Sequence, residues 1–179
     1  MTTEATAVSI RLVSSVELER QLPAFTELLR NVVNGGSPMG FLAPLGAGEG
    51  MDYWLSLRAE LNAGTRLLLG AYLDGRLVGS SQLALSRWPN ARHRAEVQKV
   101  FVATTARGAG VGRALMAALH DGARQHGRSL VVLGTRRLTG AQQFYEELGY
   151  RVAGVVPGYT IGRVGEKYDT VMMYQELSL

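Results

Sequence analysis

Cysteine is absent from the 179 residues, so a disulfide framework, a thiolate nucleophile and a cysteine-built metal site are all closed to this chain. Long apolar runs are missing too. Hydrophobic residues make up 46% of the sequence but are dispersed, which argues against a membrane span while leaving material for a sizeable core. The opening stretch MTTEATAVS lacks the basic region and apolar run of a signal peptide, so the cytoplasm is the expected compartment. Lysine is scarce, occurring only as Lys99 and Lys167, and arginine carries most of the positive charge behind the formal net charge of +4. Such a surface attracts polyanions, a coenzyme phosphate or a nucleic acid alike. The longest basic run is Arg136-Arg137, without interleaved aromatics, which speaks against a nucleic-acid partner. Of the three histidines, His93 lies in an arginine-rich turn, where it is a solvated residue or a supplementary base. His120 and His126 have no clustered carboxylate at ligand spacing, so no metal is expected. No internal repeat appears, and residues 1–179 read as one domain.

The most informative stretch runs from Arg94 to Gly127. Val97, Val100, Phe101 and Val102 lie in a segment free of glycine and proline, which predicts a strand buried on both faces. A glycine loop follows, Arg107-Gly108-Ala109-Gly110-Val111-Gly112. From Val111 the apolar positions Leu115, Ala118 and Leu119 recur at helical spacing while Arg113, Asp121 and Arg124 fall off that stripe. A loop opening directly into a helix presents unpaired N–H groups at the positive end of the helix dipole, a design suited to an anion such as a pyrophosphate. A P-loop requires Gly-Lys-Ser/Thr where this chain has Gly112-Arg113-Ala114. A dinucleotide fingerprint requires glycine where Arg113 stands and an acidic residue that Leu130 to Gly134 do not offer.

The remaining elements read in order. Val8 to Val13 alternates as a short strand, and Ser14 or Ser15 caps a helix towards Val33 that Pro23 bends or divides. Asn34-Gly35-Gly36-Ser37-Pro38 ends it, Met39 to Glu49 reads as irregular, and a second helix spans about Met51 to Asn62. Asp74-Gly75 between apolar runs predicts a hairpin of Thr65 to Leu73 with Arg76 to Ser86, since both turn positions need positive φ. Trp88-Pro89-Asn90 marks a turn before the central strand. A strand at Ser129 to Gly134, a helix at Thr139 to Leu148 and strands at Arg151 to Val156 and Tyr168 to Leu177 complete a mixed sheet.

Arg107-x-x-Gly110-x-Gly112 directly after Val100-Phe101-Val102 resembles the acetyl-coenzyme A signature of the GCN5-related N-acetyltransferase (GNAT) family. Phe144-Tyr145-Glu146-Glu147-Leu148-Gly149-Tyr150 resembles that family's aromatic-pair helix, and the order of elements extends the likeness along the whole chain. More narrowly, Asn34-Gly35-Gly36 with Gly40-Phe41, Arg94 to Lys99, and Pro157-Gly158-Tyr159 are similar to the branch that includes the tabtoxin resistance acetyltransferase, which modifies small amine-bearing toxins. Where that branch carries an acidic residue before a threonine, this chain has Gly134 before Thr135.

The resemblance implies an α/β (α+β) fold with a mixed, mostly antiparallel twisted sheet of six to seven strands and flanking helices. It implies acetyl-coenzyme A as cosubstrate, no metal, a small-molecule amine as acceptor and, as in many relatives, a homodimer. Coenzyme contacts fall on Val100, Phe101, Val102, Arg107, Gly108, Ala109, Gly110, Val111, Gly112 and Arg113, in a cleft where the central strand and the Ser129 to Gly134 strand part. Phe41 and its neighbours would wall the amine pocket, or serve as a surface connector. Glu96, a carboxylate in an otherwise apolar strand, reads as general base through water or as a surface charge paired with Arg94 or Lys99. Tyr145 reads as general acid, since the family motif puts a phenol beside the thioester sulfur, or as a packed core aromatic. Acetylation of protein N-termini or lysines, and non-catalytic acyl-coenzyme A sensing, are the competing functions.

Overall fold

The computed structural model describes residues 8–179; the polar stretch before Val8 lies outside the described residues. The chain begins with β1 (Val8–Leu12), whose end leads into α1 (Ser15–Arg20). Ser14 and Glu17 form a reciprocal capping box there, satisfying two N–H groups that would otherwise be orphaned. Pro23 divides the helical stretch as expected, standing in the first turn of α2 (Leu22–Asn34), where its missing N–H costs nothing. Leu18, Phe25, Leu29 and Val33 make the buried stripe.

The second helical stretch departs from expectation. It starts earlier, as α3 (Ala47–Ser56), and breaks at Leu57 before α4 (Arg58–Asn62). The Ser56 hydroxyl donates to the Tyr53 carbonyl at 2.6 Å and the Leu57 N–H to the Trp54 carbonyl, so local bonds tighten the last turn and end the helix. Trp54, fully buried, anchors α3 against Phe25 at 5.0 Å between ring centres.

β2 (Arg66–Leu73) and β3 (Arg76–Leu85) form the hairpin, with Asp74 at φ 49° and Gly75 at φ 76°. β4 (Arg94–Val102), α5 (Val111–Gln125), β5 (Leu130–Arg136), α6 (Gly140–Glu147), β6 (Arg151–Ile161) and β7 (Lys167–Glu176) follow. The sheet has seven strands in the order β1-β2-β3-β4-β5-β7-β6, antiparallel except for β4 with β5. α5 packs on one face through Leu115, Met116 and Leu119, and α1 to α4 cover the other. β6 outruns its expected end at Val156 because Pro157 sits at a register shift on an edge strand, where no N–H is required of it.

The central strand is not buried on both faces as its composition predicts. Ala95 and Val97 are buried while Arg94 and Glu96 are exposed, so the first half of β4 alternates. Between Gln98 and Phe101 the strand carries one extra residue opposite β3, with Lys99 at φ 50°. This bulge reverses the alternation and puts Phe101 among Trp54, Leu68 and the helices α1 to α3, where an uninterrupted strand would have turned it towards α5.

Candidate functional site

Pairing between β4 and β5 covers only Arg94 to Glu96 against Leu130 to Val132. Beyond that point the strands part, β4 bulging at Lys99 while β5 stays paired with β7 to Arg136. The split expected between these strands is therefore present, with Glu96 at its apex. Its far end opens into a cavity of about 610 Å³ lined by Val100, Phe101 and Val102 of β4, the glycine loop, Ala141, Phe144 and Tyr145 of α6, and Val32, Ser37 and Met39.

The loop is stripped of internal partners. The N–H groups of Gly108 through Arg113 have no protein acceptor among the described residues, and Gly110, the N-cap of α5 at φ 76°, supplies no side-chain cap. Consecutive free donors at the positive end of a fifteen-residue helix suit a pyrophosphate. At Gly112 a β-carbon would lie 3.3 Å from the Phe144 ring, so glycine there lets α6 close onto the loop. The Arg113 guanidinium is engaged with Glu147 at 2.6 Å, leaving its main-chain N–H as its contribution, whereas Arg107 makes no ion pair among the described residues. Of the expected coenzyme contacts, Ala109 alone is not among the residues lining the cavity.

Tyr145 is buried, 5.3 Å from Phe144 and 5.7 Å from Tyr150 between ring centres. Its hydroxyl has no protein hydrogen bond yet keeps some accessible surface, and burial pushes its pKa up to about 12. It is therefore a protonated donor at any physiological pH. Glu96 faces the other side of the sheet. It lines a separate groove of about 550 Å³ with Trp88, Pro89 and Arg94, and it pairs with neither Arg94 nor Lys99. The two candidate catalytic residues thus line different concavities, related by the strand split that begins at Glu96.

A family model described as the acetyltransferase (GNAT) family matches residues 37–150, from the segment over the cavity to Tyr150. The chain belongs to that family. Among solved GNAT-like structures, a ribosomal-protein-alanine N-acetyltransferase from Brucella melitensis is 24% identical at a TM-score of 0.77, covering 94% of this chain and 99% of its own. An N-acetyltransferase from Staphylococcus aureus Mu50 is 16% identical at 0.78, covering 96% and 99%. YncA of Salmonella typhimurium, solved with its cofactor acetyl-CoA, is 22% identical at 0.76, covering 96% and 95%. At these identities the likeness establishes the GNAT fold.

The carboxylate of Asp169 on β7 accepts from the Gly158 N–H at 3.0 Å and faces Arg137 at 3.5 Å, holding the β6–β7 bulge. His93 contributes its carbonyl, which receives the N–H groups of Ser129 and Leu130 where β5 begins. Gly134 is not an open gap, because a β-carbon there would meet Met172 and Thr170 at 3.2 Å. No group of three or more histidine, aspartate or glutamate side chains suited to a metal occurs among the described residues. No helix described is long and apolar enough to cross a membrane. Met39, Ser37 and Val32 join the cavity without having been singled out, since nothing in their local sequence tells where the 37–46 segment lands.

His120 shares a 2.9 Å hydrogen bond with the Tyr150 hydroxyl on the α5 side of the sheet, and burial first, then Arg124, lowers its pKa. The unfolded chain therefore takes up this proton before the folded one does. Stability is expected to fall as pH drops below about 6.5 and to level once the folded histidine also titrates. His120→Gln should flatten that segment of a urea-midpoint against pH curve; an unchanged slope would assign the dependence to other groups.

Proposed function

We propose that this protein is an acetyl-coenzyme A dependent N-acetyltransferase acting as one domain over residues 1–179 in the cytoplasm, on the amine of a small molecule. The observation that carries the reading is the run of unpartnered N–H groups from Gly108 to Arg113 at the mouth of the parted β4 and β5 strands. Those donors and Arg107 would hold the pyrophosphate, and the exposed edge of Val100 to Val102 would hold the amide-rich arm. The coenzyme supplies the acyl thioester.

Glu96, through water, would take the proton of the attacking amine as the C–N bond forms and the C–S bond breaks. Tyr145 would donate a hydrogen bond to the departing sulfur. A small acceptor is favoured because the segment at 37–46 roofs this side: the Met39 carbonyl accepts from Lys99, and Phe41 stacks edge-on to Tyr53 at 5.1 Å. Motif similarity to the tabtoxin resistance branch supports a toxin or antibiotic acceptor and a detoxifying role, with Gly134 the departure that would alter which toxin fits. A homodimer is part of this reading; nucleic acid and membrane are not.

The test is a screen of small amines, toxins and antibiotics, with N-terminal and lysine peptides alongside, for thiol release from acetyl-coenzyme A. Release above the amine-free rate with small amines is expected. Release with peptides alone would move the function to protein acetylation, and tight coenzyme binding with no release would make the protein a sensor.

A further inference from the structure

The α3 side of the sheet holds a polar cluster that the mechanism above does not use. Arg66 donates to Glu60 at 2.7 Å, to Gln82 at 2.9 Å and to Gln98 at 2.8 Å, and Gln82 donates to the Tyr53 hydroxyl at 2.8 Å. Lys99 reaches into the same region from the β4 bulge. Its ammonium donates to the Met39 carbonyl and lies 5.1 Å from the centre of the Phe41 ring and 5.5 Å from that of Tyr53. At Gly40 a β-carbon would stand 2.9 Å from the Lys99 nitrogen, so the roof lies close over the ammonium.

The charges of this cluster do not balance. Arg66 and Lys99 contribute two positive charges and Glu60 one negative, and no carboxylate among the described residues pairs with Lys99. Burial lowers the Lys99 pKa and Arg66 adds to the effect. Of three ammonium donors, one has a protein acceptor. The residues beside it are site residues: Val100, Phe101 and Met39 line the cavity, and Glu96 stands three positions back on the same strand. A half-buried cation without a counter-ion costs stability, the pattern expected of a group retained for a ligand.

We propose that Lys99, backed by Arg66, selects acceptors that carry an anionic oxygen group such as a carboxylate in addition to the amine. The inference rests on the acetyltransferase reading and deepens it. An acceptor bearing both groups would bring the missing charge, while a diamine would meet an uncompensated cation and be rejected.

The experiment compares the free amino acids with their carboxamides, and with simple diamines, in the thiol-release assay on the parent, Lys99→Met and Lys99→Arg. The parent is expected to favour acids over the matching amides by about tenfold or more in kcat/KM, chiefly through KM. Lys99→Met should bring that ratio near one with acetyl-coenzyme A affinity kept, and Lys99→Arg should restore part of the preference. Lys99→Met should fold at least as stably as the parent, because an unpaired ammonium gives way to an apolar side chain of similar length. In a second arm that needs no turnover, N-acetyl amino acids with coenzyme A should raise the melting temperature of the parent more than their amides do, and not that of Lys99→Met. Equal use of acids and amides by the parent, or a preference that survives in Lys99→Met, overturns the inference while leaving the acetyltransferase reading standing. No turnover of any amine, with acid-specific stabilisation still lost in Lys99→Met, overturns the small-molecule reading and keeps the anion site. Neither turnover nor acid-specific stabilisation overturns both.

Discussion

Glu96→Gln should lower kcat by roughly 10²- to 10⁴-fold while acetyl-coenzyme A affinity stays unchanged. The amide cannot accept a proton, but it keeps the shape of a side chain that makes no ion pair and is exposed in its groove, so the fold should not register the change. The acidic limb of the kcat profile should disappear, and raising the pH should recover part of the rate as more amine loses its proton unaided. The Asp169 carboxylate is engaged by the Gly158 N–H and Arg137, so Asp169→Asn should act on the β6–β7 bulge before it acts on chemistry. Near-full kcat in Glu96→Gln with the parent's pH profile would remove Glu96 from the mechanism.

Tyr145→Phe makes a contrasting case. Burial pushes its phenol up to about 12, which keeps the hydroxyl protonated across the physiological range, and the role proposed for it is to donate to the departing sulfur. The smaller loss expected, about 10- to 100-fold, should come without any change of limb between pH 6 and 10.

The glycine loop, the hairpin turn and the uncapped start of α5 were legible because each rests on local backbone chemistry. Asp74-Gly75 and Gly110 needed positive φ, and their residue types announce it. The bulge at Lys99 was not legible. A lysine at φ 50° carries no such mark, and what puts it there is tertiary, since β4 must present Val97 to α5 and Phe101 to Trp54. The break at Leu57 likewise turns on one serine hydroxyl choosing the Tyr53 carbonyl. Glu96 was recognisable as an oddity in an apolar strand. Lys99, an equal oddity three residues on, gave the same signal, but its roof of Met39 and Phe41 comes from a segment sixty residues away whose landing place local sequence does not encode.

Gly110→Asp should abolish measurable coenzyme binding, a loss of 100-fold or more if about 3 kcal/mol of charge-assisted contact is replaced by repulsion. Space does not oppose the substitution, since a β-carbon there meets nothing within 4 Å; the left-handed backbone at φ 76° strains it, less for aspartate than for most residues, and a carboxylate at the start of α5 complements its dipole. The same carboxylate stands where the anion should sit. Unchanged affinity in a folded Gly110→Asp protein would remove the loop from the binding site. The most direct measurement is a backbone amide NMR titration of the parent protein with acetyl-coenzyme A. The largest shifts are expected at Gly108 to Arg113 and at Val100 to Val102; saturation that leaves those amides unmoved, with shifts confined to the groove at Trp88 or elsewhere, would contradict the loop as the coenzyme site.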